Sequence, residues 1–290
     1  LGDVGVVVVT GAHSGIGLAT TRRLVADGHQ VVMACRNLDK AERAAEEIRR
    51  RMPTGIVEVA HLDLADGDSI NDFATTWPHD RPIDVLVNNA GVMGLDRSST
   101  KQGWESQFGT NHLGHFLLTG RLLPVLRRVE HSRVVTVSSL GHRAGRLQLD
   151  DVMFDNRRYD RWGAYFQSKL ANVLFSRELD RRLKSNHDSV RSVGCHPGTA
   201  STEIGKTGTS VANSVIRTFF PVVARSADRG ATAVVHAATA PVDGGEFFGP
   251  RFIAFGRPRQ ETPSRRARND EVARRLWELS EELTGFCYEL

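Results

Sequence analysis

The fold class is indicated by one stretch of sequence, Val4-Gly5-Val6-Val7-Val8-Val9-Thr10-Gly11-Ala12-His13-Ser14-Gly15-Ile16-Gly17. Its β-branched run, Val4 to Thr10, suits a central parallel strand that is covered on both faces. The glycines that follow have the spacing Gly-x-x-x-Gly-x-Gly and lead into a helical pattern. Such glycines allow a tight turn and let the backbone approach a pyrophosphate, whose charge a helix N-terminus stabilises. We therefore predict a dinucleotide-binding turn, and no P-loop, because no Gly-Lys-Ser/Thr follows.

The rest of the chain continues the alternation of strands and helices. Further strands are predicted at Gln30 to Cys35, Ile56 to Leu62, Ile83 to Val87, Arg133 to Val137 and Val190 to Cys195, with an edge strand inside Phe247 to Phe255. Helices are predicted at Gly15 to Asp27, Leu38 to Arg51, Gly103 to Val129 with a kink at Pro124, Tyr159 to Lys184, Arg225 to Ala240 and Asn269 to Leu283. Repeated β-α-β units predict an α/β fold, a doubly wound parallel sheet of the Rossmann type, forming one domain over residues 1–290.

Composition favours an ordinary soluble globular protein. The 290 residues are 40% hydrophobic and 25% charged, with a formal net charge of +4. The basic residues are dispersed, and no aromatic residues alternate with the one local cluster, Arg265-Arg266-Ala267-Arg268. We therefore predict a solvated basic surface and no nucleic-acid partner.

The three cysteines, Cys35, Cys195 and Cys287, have no Cys-x-x-Cys spacing. This pattern argues against a disulfide framework or a zinc site and favours a reducing compartment. The longest apolar run near the start is far too short to span a bilayer, and no stretch has the pattern of a signal peptide. The sequence predicts a cytoplasmic protein with no membrane span.

Tyr165 and Lys169 are the most informative residues for function. They are four apart in a predicted helix, so both side chains lie on one face and can address one ligand. The spacing alone is common in solvated helices. Here it follows, in order, the glycine turn, Asn88-Asn89-Ala90-Gly91, Asn111 and Ser139.

This ordered set resembles the short-chain dehydrogenase/reductase family over essentially the whole chain. Asn111-His112-Leu113-Gly114-His115-Phe116 and Ser168-Lys169-Leu170-Ala171-Asn172 are most similar to its retinol-dehydrogenase-like and protochlorophyllide-reductase-like branch. The resemblance implies a nicotinamide dinucleotide cofactor and a small-molecule carbonyl or alcohol substrate, which we expect to be hydrophobic. It also implies a homodimer or homotetramer formed through the helices around Gly103–Val129 and Tyr159–Lys184.

The resemblance assigns most of the cofactor-binding residues. It places Asp63 beside the adenine ring, although Asp63 could also be the N-cap of the next helix. It places Asn89-Ala90-Gly91 along the ribose, and Pro197-Gly198 with Thr202 beside the nicotinamide. The predicted cofactor-binding residues are Gly11, His13, Ser14, Gly15, Ile16, Gly17, Arg36, Asp63, Leu64, Asn89, Ala90, Gly91, Tyr165, Lys169, Pro197, Gly198 and Thr202.

Arg36 decides the choice of cofactor in this interpretation. The position about 20 residues after the glycine turn holds an acid in NAD-binding folds and an Arg where the 2′-phosphate of NADP is bound. Here it holds Cys35-Arg36, with no carboxylate at the strand end. We therefore predict NADP, with NAD as the less favoured cofactor.

Hydride transfer to a carbonyl needs a proton at the oxygen, and Tyr165 is the predicted acid and base. A free tyrosine has a pKa of about 10, and the ammonium of Lys169 is expected to lower it. By resemblance, Lys169 also binds the nicotinamide ribose, Ser139 hydrogen-bonds the substrate oxygen with Ser138 as its rival, and Asn111 holds a water that links Lys169 to solvent.

Other features have simpler interpretations. His112 and His115 have a spacing that could suit a metal, but with no evident third ligand we predict structural histidines and no metal site. The substrate pocket is expected within Leu140 to Asp160 and Thr199 to Arg225, with the second segment covering the substrate. Reduction of a C=C bond, or dinucleotide binding without catalysis, are the alternatives to alcohol–carbonyl interconversion.

Overall fold

A computed structural model describes residues 5–198, 227–252 and 256–290. Eight strands form one sheet in the order β3-β2-β1-β4-β5-β6-β7-β8. They are β1 (Val6–Thr10), β2 (Gln30–Cys35), β3 (Val57–His61), β4 (Val85–Asn88), β5 (Arg133–Val137), β6 (Arg191–Cys195), β7 (Phe247–Pro250) and β8 (Pro258–Gln260). The first seven pair in parallel, and β8 is antiparallel to β7. The predicted doubly wound α/β sheet is confirmed.

The main helices alternate with these strands. They are α1 (Gly15–Ala26), α2 (Leu38–Arg51), α3 (Gly67–Thr75), α4 (Ser106–Phe108), α5 (Gly114–Leu126), α6 (Arg161–Ser185), α7 (Ala227–Thr239) and α8 (Asp270–Thr284). Short 3-10 turns lie at Leu140–Arg143, Leu149–Asp151 and Arg266–Arg268. None of the helices within the described ranges is long and apolar enough to cross a membrane.

The sheet is covered on both faces because its strands are apolar on both faces. Val7 and Val9 of β1 point into the core beneath α1, α2 and α7, whereas Val6 and Val8 point into the core beneath α3, α5 and α6. All four are buried, and burying a valine side chain contributes about 1.5–3 kcal/mol. This two-sided burial holds β1 in the centre of the sheet and fixes the position of the glycine turn after it.

Two sequence predictions about elements are corrected. The strand that begins at Phe247 is not the sheet edge, because the chain returns as β8, which becomes the edge. The helix predicted over Gly103–Val129 is divided: α4 is followed by a π-helical turn, Gly109–Leu113, before α5 begins. In that turn the N–H of Gly114 bonds the carbonyl of Gly109, so the predicted helix is divided at the π turn, and α5 continues through Pro124.

The C-terminal tail packs across α5. The hydroxyl of Tyr288 donates to the carbonyl of Phe116 at 2.6 Å, and its ring lies 4.6 Å from that of Trp277, measured between centroids. Helix α8 itself packs along α6, with Leu276 and Trp277 buried. Much of α5 and α6 is therefore covered by this chain's own C-terminal residues.

Candidate active site

A cavity of about 650 Å³ opens at the carboxyl ends of β1 and β4. The strand order reverses at this point of the sheet, which is where open α/β sheets bind ligands. Segments far apart in sequence meet there because all of these strands run in one direction. Of the predicted residues, the cavity is lined by Gly11, His13, Ser14, Gly15, Ile16, Gly17, Arg36, Asp63, Leu64, Asn89, Ala90, Gly91, Ser139, Tyr165, Lys169, Pro197 and Gly198.

The glycine turn has the geometry of an anion cradle. Gly11 has a φ of 65°, which favours glycine. A Cβ on Gly17 would lie 2.5 Å from the carbonyl oxygen of Gly11, so that position admits no side chain. Ser14 is the N-cap of α1, but its side chain makes no capping hydrogen bond to the first turn. The turn and the start of α1 therefore suit a bound phosphate group.

Thr10 ties the glycine turn to the loop after β4. Its hydroxyl accepts hydrogen bonds from the backbone N–H groups of Asn89 and Ala90, both at 2.9 Å. The side-chain amide of Asn89 donates in return to the carbonyl of Thr10 at 2.8 Å. These hydrogen bonds fix the glycine turn and the loop after β4 relative to each other, at the point where the strand order reverses.

Asn111 lies outside the cavity lining and supports the loop from behind. Its Nδ2 donates to the carbonyl of Val92 and to Ser168 Oγ, both at 2.9 Å. Its Oδ1 accepts from the N–H of Val92 at 2.7 Å. The Asn111 side chain is thus committed to holding the residues after Gly91.

Thr202 and the predicted covering segment 199–225 lie outside the described residues.

Arg36 lies at the end of the cavity beyond the glycine turn. Its side chain is 68% exposed, and its Nη1 lies 4.0 Å from Oδ2 of Asp63. Asp63 Oδ1 accepts from the N–H of Ala65 at 3.0 Å. The N-cap of α3 is Asp66, whose side chain accepts from the N–H of Asp68. The N-cap alternative for Asp63 was therefore wrong, because the N-cap of α3 lies three residues later.

Ser138 and Ser139 have different surroundings. Ser138 is buried, and its hydroxyl donates to the carbonyl of Lys169 at 2.7 Å. Ser139 is partly exposed, its Oγ accepts from the N–H of Gly141 at 3.1 Å, and it also hydrogen-bonds Tyr165. Of the two, Ser139 is the serine that shares a hydrogen bond with the tyrosine.

Tyr165 is buried, and burial raises its pKa above 10, whereas the hydrogen bond with Ser139 acts in the opposite direction. From the sequence, Lys169 is expected to lower this pKa. In the protein alone the loss of solvation is the larger effect, because a phenolate in an apolar wall loses its water. Tyr165 is consequently protonated at neutral pH and can donate its proton.

Lys169 is one helical turn from Tyr165 on α6. Burial lowers the pKa of its ammonium to about 8. Its Nζ donates to the carbonyl of Val137 at 3.3 Å, and a Cβ on Gly91 would lie 3.3 Å from it. The lysine therefore reaches the wall of the cavity between β5 and the loop after β4, and its ammonium remains mostly charged at pH 7.

His112 and His115 are both buried and hydrogen-bonded to groups of the protein. His112 Nε2 lies 2.9 Å from Ser280 Oγ, and His115 Nδ1 donates to the carbonyl of Asn111 at 3.0 Å. Burial lowers their pKa values to about 3 and about 4. Within the described part of the chain, no three side chains are clustered as metal ligands.

Several cavity residues were missed by sequence reasoning. Val92, Met93 and Leu95 form an apolar wall directly after the predicted Asn89-Ala90-Gly91, and Thr110 of the π turn also lines the cavity. Their position after the carboxyl end of β4 was the available signal, because ligands bind at such ends.

Three comparisons place this arrangement among known proteins. Residues 5–211 match the family model described as short chain dehydrogenase. Human retinol dehydrogenase 13 is 40% identical over 288 residues, which cover 96% of this chain and 84% of that protein. A crystal structure of an uncharacterized protein from Mycobacterium paratuberculosis is 43% identical and superimposes with a TM-score of 0.83, covering 99% of this chain and 95% of that one. Serine dehydrogenase complexed with NADP+ is 25% identical with a TM-score of 0.64, covering 81% and 90% of the two chains.

Proposed function

The chain belongs to the short chain dehydrogenase family, and from this premise we propose that it uses NADP to interconvert an alcohol and an aldehyde or ketone, with Tyr165 as acid and base. It is an NAD(P)-dependent dehydrogenase/reductase that acts on CH–OH groups. One observation carries the finer proposal: the hydrogen-bonded pair of Tyr165 and Ser139 faces the same cavity as the glycine turn.

Tyr165 and Ser139 act on the substrate oxygen in this proposal. A carbonyl oxygen placed between the two hydroxyls receives two hydrogen bonds, which stabilise the negative charge that develops during reduction. Tyr165 then transfers its proton to that oxygen. Tyr165 carries its proton at neutral pH, so it can donate that proton in the direction of reduction. In the oxidative direction the charge of Lys169 stabilises the phenolate that must form.

The cavity suits a dinucleotide along its whole length. The glycine turn and the start of α1 would hold the pyrophosphate, and Ala90 and Gly91 would follow the ribose towards Lys169. Pro197 and Gly198 would border the nicotinamide, which supplies or accepts the hydride when the cofactor is bound. The nicotinamide end of the cavity is thus the end at which Ser139 and Tyr165 lie.

The choice of NADP rests on Arg36. Its exposed guanidinium stands at the adenosine end of the cavity, and β2 ends in Cys35 rather than in a carboxylate. Guanidinium binds phosphate through charge-assisted, bidentate hydrogen bonds. Asp63 Oδ2 lies 4.0 Å from the Arg36 guanidinium. The NADP+ complex of serine dehydrogenase shows that this fold accepts NADP.

We propose that the substrate is a hydrophobic alcohol or carbonyl compound. Val92, Met93 and Leu95 provide an apolar wall to the cavity that Tyr165 also lines. The retinol dehydrogenases that this chain resembles are named for an apolar alcohol. Apolar walls with a few convergent hydroxyls are typical of small-molecule sites.

The test is NADPH oxidation with a panel of aldehydes, ketones and conjugated C=C compounds of increasing chain length. We expect turnover with the carbonyl compounds, rising with apolar chain length, and turnover slower by about 10²–10⁴-fold with Tyr165→Phe. Reduction confined to the C=C compounds would contradict the proposed reaction. NADPH binding without turnover of any compound would instead support dinucleotide binding without catalysis.

A further inference from the structure

Two buried histidines lie behind the two turns that carry Ser139 and Gly198. His142 Nδ1 donates to the carbonyl of Ser139 at 2.7 Å. His196 Nδ1 accepts from the N–H of Gly198 at 3.0 Å. Both imidazoles are fully buried and flank the ring of Phe247, with centroid distances of 5.4 and 5.7 Å.

The partners of the histidines fix their tautomers. A carbonyl only accepts, so the proton of His142 is on Nδ1 and its Nε2 is an acceptor. A backbone N–H only donates, so Nδ1 of His196 is unprotonated and its Nε2 carries the proton. These two Nε2 atoms point to one short segment of the chain, residues 261–264.

Glu261 is the partner of His196. Its Oε2 accepts a hydrogen bond from His196 Nε2 at 3.2 Å, and Arg143 Nη2 donates to the same oxygen at 3.3 Å. The Glu261 side chain is only 10% exposed. The hydrogen bond with His196 is the main cause that lowers the pKa of Glu261, so the carboxylate is charged at neutral pH. Three residues later, the N–H of Ser264 faces His142 Nε2 at 3.5 Å.

Gly249 of β7 makes room for this pair. A Cβ at position 249 would overlap Nε2 of His196 and lie 2.7 Å from Oε1 of Glu261. The backbone of Glu261 is itself held to the strand, because its N–H donates to the carbonyl of Phe247 at 2.7 Å. The carboxylate is therefore presented to His196 from a fixed backbone position at the edge of the sheet.

We propose that Glu261 is a positioning residue that acts through His196 to hold the Pro197-Gly198 turn, while Ser264 acts through His142 on the turn of Ser139. The segment 261–264 thereby sets the spacing between the nicotinamide end of the cavity and the hydroxyls of Ser139 and Tyr165. This inference rests on the proposed function, since it takes that end of the cavity as the nicotinamide site.

The test separates the two halves of the cofactor. The ligands are NADPH and 2′,5′-ADP, which carries the adenosine half without nicotinamide, and their Kd values are measured by calorimetry. For Glu261→Ala we expect NADPH affinity to fall by about 10-fold, the loss of one charge-assisted hydrogen bond, and 2′,5′-ADP affinity to stay unchanged. Single-turnover reduction should slow as well. If Glu261 had a purely structural role, the ratio of the NADPH and 2′,5′-ADP affinities would stay unchanged.

Glu261→Gln and Gln260→Ala complete the set. Glutamine keeps the size of the side chain and an oxygen that accepts from His196, so Glu261→Gln should recover much of the NADPH affinity and keeps the test valid if Glu261→Ala does not fold. Gln260 is an exposed neighbour on β8, so Gln260→Ala should resemble wild type. If wild type binds NADPH and Glu261→Ala alters both affinities equally or neither, the positioning role is wrong. A wild type that binds no NADPH would instead overturn the proposed function.

Discussion

The Nζ of Lys169 lies 6.0 Å from the centre of the Tyr165 ring, one turn along the same face of α6. At this separation the ammonium can stabilise a phenolate through space while its own hydrogen bond goes to the carbonyl of Val137. The two residues therefore have separable roles. Tyr165 presents its hydroxyl to the cavity, and Lys169 contributes charge and reaches the loop of Gly91.

This separation predicts different defects for two variants. Tyr165→Phe removes one hydroxyl and keeps the ring, so NADPH binding should survive, while single-turnover hydride transfer should slow by about 10²–10⁴-fold. Lys169→Ala should weaken NADPH binding and slow transfer together, because the lysine is proposed to bind the ribose. Stopped-flow transfer rates and NADPH titrations measure both. Near-wild-type transfer by Tyr165→Phe would exclude it as the proton donor.

The adjacent serines provide a matched pair. Ser139→Ala removes the hydroxyl that bonds Tyr165, so single-turnover reduction should fall by at least about 10²-fold. Ser138→Ala removes a buried hydrogen bond to the carbonyl of Lys169, which should lower the free energy of unfolding by about 1 kcal/mol. Transfer by Ser138→Ala should remain close to wild type. The reverse ranking of the two transfer rates would assign the role to Ser138.

Arg36→Ala tests the cofactor preference. The variant should lose affinity chiefly for NADPH, by about 10–100-fold, because a hydrogen bond to a charged group contributes about 1.5–3 kcal/mol. NADH affinity should change little, since NADH has no 2′-phosphate. Titration of both cofactors into both proteins gives the comparison, and equal losses for NADPH and NADH would show that Arg36 does not read the phosphate.

Buried histidines should make stability depend on pH. Burial lowers the pKa values of His112, His115 and His142 to about 3, 4 and 4, whereas in the unfolded chain a histidine has a pKa of about 6.5. The unfolded chain binds more protons below pH 6.5, so the free energy of unfolding should fall as pH falls from 6.5 towards 5. Each histidine contributes up to about 1.4 kcal/mol per pH unit.

Urea denaturation at several pH values measures this slope. His112→Gln should remove about one histidine's share of it. An unchanged slope in His112→Gln would mean that His112 titrates alike in the folded and unfolded chains.

Local patterns were sufficient to predict the fold. The β-branched runs predicted the bounds of β2 and β5 correctly, because strands buried on both faces need an unbroken apolar sequence. The π turn at Gly109–Leu113 could not be predicted, because no residue pattern in this sequence distinguishes a π-helical turn from an α-helical one. The position of β8 also depends on long-range pairing, which no local pattern encodes.

The ordered sequence motifs predicted the residues of the site, but they did not predict the residues that hold those residues in position. Residues that follow strand ends lie around the cavity as expected. His196 and Glu261 are 65 positions apart, and only the folded sheet brings them together.

The predicted dimer or tetramer stays a prediction. Because Tyr288 and its neighbours lie over α5, any pairing of chains there must include or displace the C-terminal tail.

Because the strands are parallel, the sheet has two different ends: the loops that follow strands surround the cavity, and the loops that precede strands lie at the opposite end. The glycine turn and Ser139 directly follow strands, and Tyr165 and Lys169 reach the same end of the sheet from α6. The loops that precede strands contain none of these residues. The connection between α2 and β3 is one such loop, and Pro53 and Thr54 within it are exposed. A reporter domain inserted between these two residues would emerge on the far side from the cavity. Such a fusion should therefore keep the activity of the unmodified enzyme.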